Sequence, residues 1–264
     1  MISLLKLHTL KMIKSKESYI LYIKYIYKMS TAISNDNSEV ITSNQVDDII
    51  TYRSKMNNSY KRKEKHVMVD LETLGVKSGC VIVSIGAVEF DFVNGATSKT
   101  FYERIDIQSC LDVGLFVQGE TLVWWLQQPD AARLEICKDS KPLQEVLKLF
   151  GNFLRHVDND LKNIQIWGNG SSFDLGILAT AYSVCTKPTP WMFWNERDVR
   201  TLVYLNPDVK KNTPSTGTLH NPVDDCLHQI KYCVVIVREI KRLQEIERVK
   251  KLLEEVKFER INND

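Results

Sequence analysis

The sequence predicts an α/β domain with a mixed sheet, in which three antiparallel strands are followed by parallel strands and helices cover the flanks. The first observation is a series of β-branched, apolar segments within residues 66–105, separated by turn signals. The second is the change to helical periodicity from residue 119 onward, interrupted by a short apolar segment at 163–169. A strand enclosed by helices joins its sheet through parallel crossovers, so 163–169 is expected to be a parallel member.

The antiparallel strands are predicted from three segments. "HVMVDLE" at 66–72 is apolar and then acidic, and "CVIVSIGAVEFDF" at 80–92 is continuously apolar before it alternates. The dipeptide "NG" at 94–95 is a hairpin signal, and "SKTFYERI" at 98–105 follows it. These features predict a three-stranded antiparallel meander.

The helices are predicted from their periodicity and end signals. Two short helices separated at Pro129, a longer amphipathic helix, a helix with Ser172 as N-cap and a further helix are expected at 119–128, 129–137, 141–157, 172–185 and 197–205. The last helix begins near Asn221 and Pro222, because an Asn N-cap followed by Pro at the first helical position is a common start.

The composition excludes several classes of protein. Hydrophobic residues make up 44% and charged residues 26%, which is ordinary for a soluble globular chain. The net charge of +2 is small, so any nucleic-acid-binding surface has to be local. No apolar run approaches the ~20 residues that a membrane span needs. Six cysteines without a CxxC pair favour reduced thiols in a cytoplasmic protein over a zinc site or a disulfide framework.

Residues 1–65 differ from the rest of the chain. They are rich in Lys, Ser and Asn and are expected to form a partly disordered N-terminal extension. Their start lacks the cleavage site of a signal peptide and the Arg residues of a transit peptide. Two alternatives remain, a dispensable extension and a start assigned too early, with Met29 as a later start. The domain is expected at 66–245, and 246–264 as a charged helical tail.

Acidic residues stand at the ends of predicted elements. Asp70 and Glu72 share one face of the first strand, where like charges repel and burial is costly. Asp174 falls in the first turn of a helix, and His220 and Asp225 surround the start of the last helix. Each feature alone has a plainer explanation, such as helix-dipole or capping chemistry.

Together the acids predict a metal site. Mg²⁺ and Mn²⁺ prefer oxygen ligands, and two such ions ~3.5–4 Å apart can clamp a phosphodiester. A histidine is suited to take a proton from the attacking water at neutral pH. Two divalent cations would also allow Asp70 and Glu72 to stay ionised side by side.

The motifs "DLET", "SFD" and "H-x-x-x-x-D" occur in this order, and they resemble the DEDDh group of 3′–5′ exonucleases, which have an RNase H-like fold. The resemblance covers roughly residues 66–240. It is closest to the branch of phage-type exodeoxyribonucleases and RNase T-like exoribonucleases, because "VWWLQQPDAAR", "WGNGSSFD" and "FWNERDVRT" are also similar to that branch.

The resemblance implies one role for each of five residues. The general base would be His220, and the metal ligands would be Asp70, Glu72, Asp174 and Asp225. Asp225 is preferred to Asp224 because the last acid of the family stands five residues after the histidine. Pro222 stands where the family usually has Ala, which fits a helix start and can stiffen the loop that carries His220.

The resemblance also suggests contacts to the substrate. In similar enzymes the segment of Thr73 and Leu74 meets the 3′-terminal nucleoside, with the apolar side chain against the base, and Phe173 is included among the substrate-binding candidates. Trp124 and Trp125 are adjacent on a helix, so one is expected in the core and the other partly exposed. Trp125 is either that core residue or a stacking platform for a base.

Two arginines are candidates for phosphate binding. Arg197 and Arg200 are three residues apart in "FWNERDVRT" and are expected to share one face of a helix. They could hold phosphate, or they could pair with the neighbouring Glu196 and Asp198.

These features predict a two-metal 3′–5′ exonuclease that releases nucleoside 5′-monophosphates from single-stranded DNA or RNA. A proofreading subunit of a polymerase complex and an inactive nucleic-acid-binding module are the alternatives, although a pure binder has no use for four convergent carboxylates. DNA and RNA are not distinguished, because no motif residue indicates a contact to the 2′-OH. A homodimer is an open question, since relatives on the RNase T side often dimerise.

Overall fold

The computed structural model describes residues 64–136, 138–218 and 220–261. The expectations for the N-terminal extension and for Met29 therefore lie outside the described residues. The chain divides into two compact units, and Lys61–Arg238 forms the one that contains the sheet. Residues from Glu239 onward belong to the other unit, where the last helix continues to Ile261.

A mixed sheet of five strands organises the main unit, as the sequence predicted. The antiparallel part has the order β3-β2-β1, and β4 and β5 then continue in parallel from the other side of β1. The strands are β1 (Lys65–Thr73), β2 (Ile82–Phe90), β3 (Thr97–Arg104), β4 (Ile164–Gly168) and β5 (Glu196–Asp198). The first strand is thus central, with neighbours on both sides.

The predicted hairpin turn joins β2 and β3. Gly95 has a φ of +68°, a left-handed conformation that glycine adopts readily. The amide of Asp91 donates to the carbonyl of Ala96 at 2.9 Å, which closes the turn. The local turn chemistry therefore sets the position of the hairpin.

The predicted N-cap at Ser172 was wrong, because that helix begins at Asp174 after Phe173, and no side chain caps it. The helices otherwise follow the predicted pattern with two additions, α1 and α7. Both are six residues long, too short to show a clear amphipathic period. The helices are α1 (Ile107–Asp112), α2 (Gly119–Leu126), α3 (Asp130–Ile136), α4 (Leu143–Val157), α5 (Asp174–Val184), α6 (Val199–Tyr204), α7 (Pro207–Asn212) and α8 (Pro222–Ile261).

The core lies between the sheet and the helices that cover it. Every residue of β2 is buried, as expected for an apolar strand with neighbours on both sides. The predicted apolar stripe of α4 faces this core, where Phe153 is partly buried and the fully buried members are Leu143, Val146, Leu147, Phe150 and Leu154. Burial of this stripe fixes α4 against the sheet.

The prediction of one helix over 197–205 was wrong. The segment begins as β5, which pairs in parallel with β4, and only then becomes α6. Asp198 ends the strand and caps the helix, since its carboxylate accepts from the amide of Arg200 at 2.7 Å. Pairing with the edge of the sheet is a tertiary effect, and the local sequence does not show it.

The five cysteines that the structure describes are buried and unpaired, and they are Cys80, Cys110, Cys185, Cys226 and Cys233. This agrees with the expected reduced thiols. Across the described ranges we find no helix that is both long enough and apolar enough to cross a membrane.

Candidate active site

Asp70 and Glu72 lie in the second half of the central strand β1. Both are half-buried, whereas Leu71 between them is buried, so the two carboxylates share one face of the sheet. On the antiparallel neighbour, Gly86 pairs with Asp70. A Cβ on Gly86 would come within 2.5 Å of the backbone of Pro222. The first residue of α8 therefore packs directly on β2, which brings the start of that helix to the two acids.

Three carboxylates converge at this point. Ligand oxygens of Asp70, Glu72 and Asp225 all lie within 4.8 Å of one another. They come from the central strand and from the first turn of α8. This separation is short enough for a shared cation and too short for three unscreened charges.

Asp174 lies behind this group of three. It is 2% exposed, and backbone amides hold both of its oxygens: Leu71 donates to Oδ1 at 3.3 Å and Asn169 to Oδ2 at 2.7 Å. Gly168 at the end of β4 allows the close approach, since a Cβ there would lie 3.1 Å from that of Asp174. The structure thus places Asp174 beside the acids but outside the tight cluster.

Burial and mutual repulsion disfavour ionisation of these acids. Burial is the main cause that raises the pKa of Glu72 to about 8, and the charges of Asp225 and Asp174 add to it. Burial likewise raises the pKa of Asp70 well above its usual range, again with help from its acidic neighbours. Burial also raises the pKa of Asp225. A divalent cation would reverse this balance, because it favours the ionised form of each carboxylate.

Asp174 has additional stabilisation of its charge. Burial raises its pKa to about 7, while the amides of Asn169 and Leu71 and the charge of Arg200 oppose that rise. Arg200 lies against Gly170, where a Cβ would come 3.2 Å from the guanidinium carbon. Arg200 is therefore near the acids, where its charge offsets part of theirs.

His220 lies on the loop before α8 in a left-handed conformation, with a φ of +61°. Its ring packs edge-on against two indoles, with centroid distances of 5.0 Å to Trp124 and 5.7 Å to Trp125. It also lies close enough to Asp225 for its charge to oppose the rise in the pKa of that carboxyl. The imidazole is thus held between an aromatic wall and the acid cluster.

The start of α8 fixes this loop. Asn221 is the N-cap, since its side chain accepts from the amides of Val223 at 3.0 Å and Asp224 at 3.2 Å. Asp224 turns away from the acid cluster and accepts from the amide of Thr218 at 2.8 Å. The predicted start at Asn221 and Pro222 is confirmed, and the two neighbouring aspartates have separate positions.

Asp70, Glu72, Asp225 and His220 line one cavity of about 760 Å³. Of the predicted substrate contacts, Thr73, Trp125 and Phe173 also line it. Leu74 does not, and its contact with a base stays a prediction. The strand pairing shifts register after Glu72, and Leu74 turns into the core, where it is 3% exposed. Val76, 63% exposed, is the apolar side chain that follows at the cavity.

The two tryptophans of α2 have different environments. Trp125 is 2% exposed, and its indole N–H donates to the carbonyl of Thr73 at 2.9 Å. Trp124 is 42% exposed at the same cavity. Trp125 therefore packs in the core at the border of the cavity, and its stacking on a base stays a prediction.

The two arginines also differ. Arg197 lies on β5 and not on a helix, and its guanidinium donates to the carbonyls of Glu196 at 2.8 Å and Trp194 at 2.9 Å and to the side chain of Gln165. These bonds hold Arg197 in the edge of the sheet, so the expected helical face shared with Arg200 was wrong, and the phosphate role of Arg197 stays a prediction. Only Arg200 reaches the acids.

Sequence reasoning assigned no role at the site to several residues that line the cavity, and three of them make defined contacts there. Gln229 donates its amide to Asp70, Lys210 of the unpredicted α7 lies with its ammonium 5.7 Å from the ring centre of Tyr232, and Trp124 packs on His220. Gln229 stands one helical turn after Asp225, and this spacing was the only local signal.

The comparisons with known proteins agree with this geometry. A family described as the 3′-5′ exoribonuclease Rv2179c-like domain matches residues 65–237. The exodeoxyribonuclease of Enterobacteria phage T4 is 25% identical over 194 residues, which cover 62% of this chain and 85% of that protein. The similarity to a phage exodeoxyribonuclease confirms the branch indicated by the motifs.

A solved structure shares the fold. Cell-death related nuclease 4 (CRN-4) superposes with a TM-score of 0.50 at 11% identity, over 67% of this chain and 64% of that chain. The match spans slightly less than two thirds of that nuclease's own length. Since the family match covers well over half of the sequence, the chain belongs to the 3′-5′ exoribonuclease Rv2179c-like domain family and is a 3′–5′ exonuclease.

Proposed function

We propose that the protein hydrolyses single-stranded DNA or RNA from the 3′ end to nucleoside 5′-monophosphates, with two Mg²⁺ or Mn²⁺ ions and His220 as general base. One observation carries the proposal: three carboxylates from β1 and α8 converge within 4.8 Å in a cavity that also contains His220. Carboxylates at this spacing repel phosphate unless cations are bound, so the arrangement suits a metal-dependent hydrolase and not a simple binding site.

The residues of the site fit divalent cations. Asp70, Glu72 and Asp225 offer hard oxygen donors, and Asp174 is proposed as the fourth ligand. Burial, with the charges of Asp225 and Asp174, raises the pKa of Glu72 to about 8, and a bound cation would favour its ionised form. When bound, such ions polarise a phosphodiester and acidify water.

His220 is proposed to accept the proton of the attacking water at an imidazole nitrogen. The neighbouring indole of Trp124 and the capped start of α8 hold the ring at the cavity. The ring is half-buried, so a proton taken from water can pass on to solvent. A neutral imidazole is required for this step, which makes the rate depend on pH.

The substrate side of the proposal rests on the other walls of the cavity. Trp124, Phe173 and Val76 offer apolar surface for a terminal nucleoside, and Lys210 offers positive charge for phosphate. Arg200, near Asp174, adds positive charge from outside the cavity lining. The family description names an exoribonuclease and the phage relative is an exodeoxyribonuclease, so both nucleic acids are retained as substrates.

Location and assembly are part of the same proposal. The described thiols are buried and unpaired, which suits a reducing, cytoplasmic environment. A homodimer is the assembly to test by light scattering.

A labelled oligonucleotide assay tests the function. Single-stranded DNA, single-stranded RNA and duplexes with 3′ overhangs are incubated with Mg²⁺, Mn²⁺ or EDTA, and mononucleotides are separated. We expect release from the 3′ end with either metal, none with EDTA, and none from Asp70→Ala. Glu145→Ala, which removes an exposed acid on α4, is the matched control. Near wild-type turnover by Asp70→Ala with Mg²⁺ would contradict the proposal.

A further inference from the structure

Gln229 makes a specific contact to one of the clustered acids. It is 4% exposed, and its Nε2 donates to Oδ1 of Asp70 at 2.8 Å. It lies four residues after Asp225, so the two side chains share one face of α8. This face of α8 therefore presents the carboxylate of Asp225 to the cluster and the amide of Gln229 to Asp70 on β1.

The orientation of this amide has a cost. Oε1 of Gln229 is buried and has no hydrogen-bond partner among the described residues. An ionised Asp70 can only accept hydrogen bonds. A flip of the Gln229 amide would therefore place Oε1 against an oxygen of the Asp70 carboxylate, where neither can donate. A buried acceptor without a partner destabilises the folded state, and such groups concentrate where function requires them.

We propose that Gln229 is a positioning residue for the divalent cation. Its amide holds Oδ1 of Asp70, so that the other oxygen of this carboxylate is presented to the metal. This inference rests on the proposed function, since it assumes a cation at the acid cluster. A hydrogen bond to one oxygen restricts rotation of the carboxylate, so less conformational freedom is lost when a cation binds. Partners of this kind typically change metal affinity 10–100-fold.

A purely structural role of Gln229 and a positioning role predict different effects of its replacement on the stability of the metal-free protein. If Gln229 mainly holds α8 on the sheet, replacing it with an apolar residue removes a stabilising bond and lowers the thermal midpoint. If it mainly positions Asp70, the same change also removes the unpartnered Oε1, so the metal-free protein is as stable as before or more stable. Metal affinity and metal-free stability therefore separate the two roles.

The experiment measures Mn²⁺ binding by titration calorimetry and thermal midpoints in EDTA, on the full chain. The variants are Gln229→Leu and Gln229→Met, and Met keeps the length of the side chain if Leu disturbs packing. Gln165→Leu is the matched control, because Gln165 is also buried but bonds to Arg197 in the sheet. Asp70→Ala reports whether Mn²⁺ binds at the acid cluster.

We expect both Gln229 variants to bind Mn²⁺ about 10–100-fold more weakly, with midpoints in EDTA equal to or above wild type. Gln165→Leu should keep the affinity and lower the midpoint. Unchanged affinity in both Gln229 variants would overturn the inference, as would an equal loss of affinity in Gln165→Leu. If wild type binds no Mn²⁺, or if Asp70→Ala binds it as well as wild type, the proposed function itself fails.

Discussion

Each carboxylate of the cluster is unfavourable by itself when it is ionised, and this governs how the free protein responds to pH. Burial raises the pKa of Glu72 and of Asp70 and so disfavours their ionisation, and their acidic neighbours strengthen this effect. A cation can therefore gain affinity from a site that destabilises the metal-free fold.

Stability of the metal-free protein should fall as pH rises. The pKa of Glu72 rises from 4.5 to about 8 on folding, so between these values the folded state holds a proton that the unfolded chain releases. The free energy of unfolding then decreases with pH across that window. We expect thermal midpoints in EDTA to fall from about pH 5 to pH 8, and to fall less steeply in Glu72→Gln. Glu145→Gln, at an exposed position, should match wild type. An unchanged slope in Glu72→Gln would contradict the assignment.

His220 should set the rising limb of the pH–rate profile. A general base must be unprotonated to accept a proton, so we expect hydrolysis by the wild type to increase with pH. His220→Ala should lower the single-turnover rate by about 10²–10⁴-fold and remove the rising limb of the pH–rate profile, with substrate affinity little changed. His228→Ala is the control, because His228 also lines the cavity but its Nε2 lies 3.1 Å from the carbonyl of Thr213. Loss of activity in His228→Ala alone would reverse the assignment.

Two short elements bring chemistry that the motifs do not contain. The strand β5 takes Arg197 into the edge of the sheet, and α7 brings Lys210 to the cavity. The strand β5 depends on pairing with β4, which is distant in the chain. Lys210 is therefore a further candidate for phosphate binding at the cavity.

Lys210 should contribute to substrate binding more than to the chemical step. Lys210→Gln is expected to weaken binding of a single-stranded oligonucleotide and to reduce the salt dependence of affinity by about one charge, with kcat nearly unchanged. Lys211→Gln is the matched control, because Lys211 is exposed and pairs with Asp208 at 3.2 Å. Fluorescence anisotropy in EDTA over a series of salt concentrations measures the affinity for the oligonucleotide and its salt dependence. Equal salt slopes for Lys210→Gln and wild type would exclude the contact.

The contact of α8 with β2 should be sensitive to one methyl group. Gly86→Ala sets a Cβ 2.5 Å from the backbone of Pro222, so α8 must shift and take Asp225 and His220 with it. We expect a loss of about 1–3 kcal/mol in stability and a larger fractional loss of hydrolysis. Gly119→Ala, where no atom lies within 4 Å of the added Cβ, should stay within about 0.5 kcal/mol of wild type. Denaturant titration measures both, and equal stability would show that α8 adapts freely.

At the scale of the molecule, the family match and the sheet-containing unit cover nearly the same residues. The match spans 65–237, and the compact unit is Lys61–Arg238. All residues proposed for catalysis and substrate contact lie within this unit.

A chain that starts at Lys61 should therefore remain folded and active. The first strand begins at Lys65, so this deletion removes no strand or helix of the sheet-containing unit. We expect the circular dichroism melt and the hydrolysis of short oligonucleotides to match the full chain. Insolubility or loss of activity would show that residues 1–60 contribute to the catalytic unit.

The sequence by itself determined the mixed sheet, the hairpin at Gly95, the start of α8 at Asn221 and the order of the acids, because these depend on periodicity, turn chemistry and motif spacing. Only the tertiary structure decided which neighbour of a pair faces the cavity. Both tryptophans border it, Trp124 with an exposed ring and Trp125 from the core, and Val76 lines it whereas Leu74 is buried.

The remaining contacts join residues far apart in the chain. Gln229 meets Asp70 across 159 positions, and β5 forms only because the edge of β4 is present. Local patterns report which face of an element is apolar, but not which element packs on that face or where a strand twists away from its register. The partners of the acids, and therefore the affinity of the site for its cations, are set by that packing.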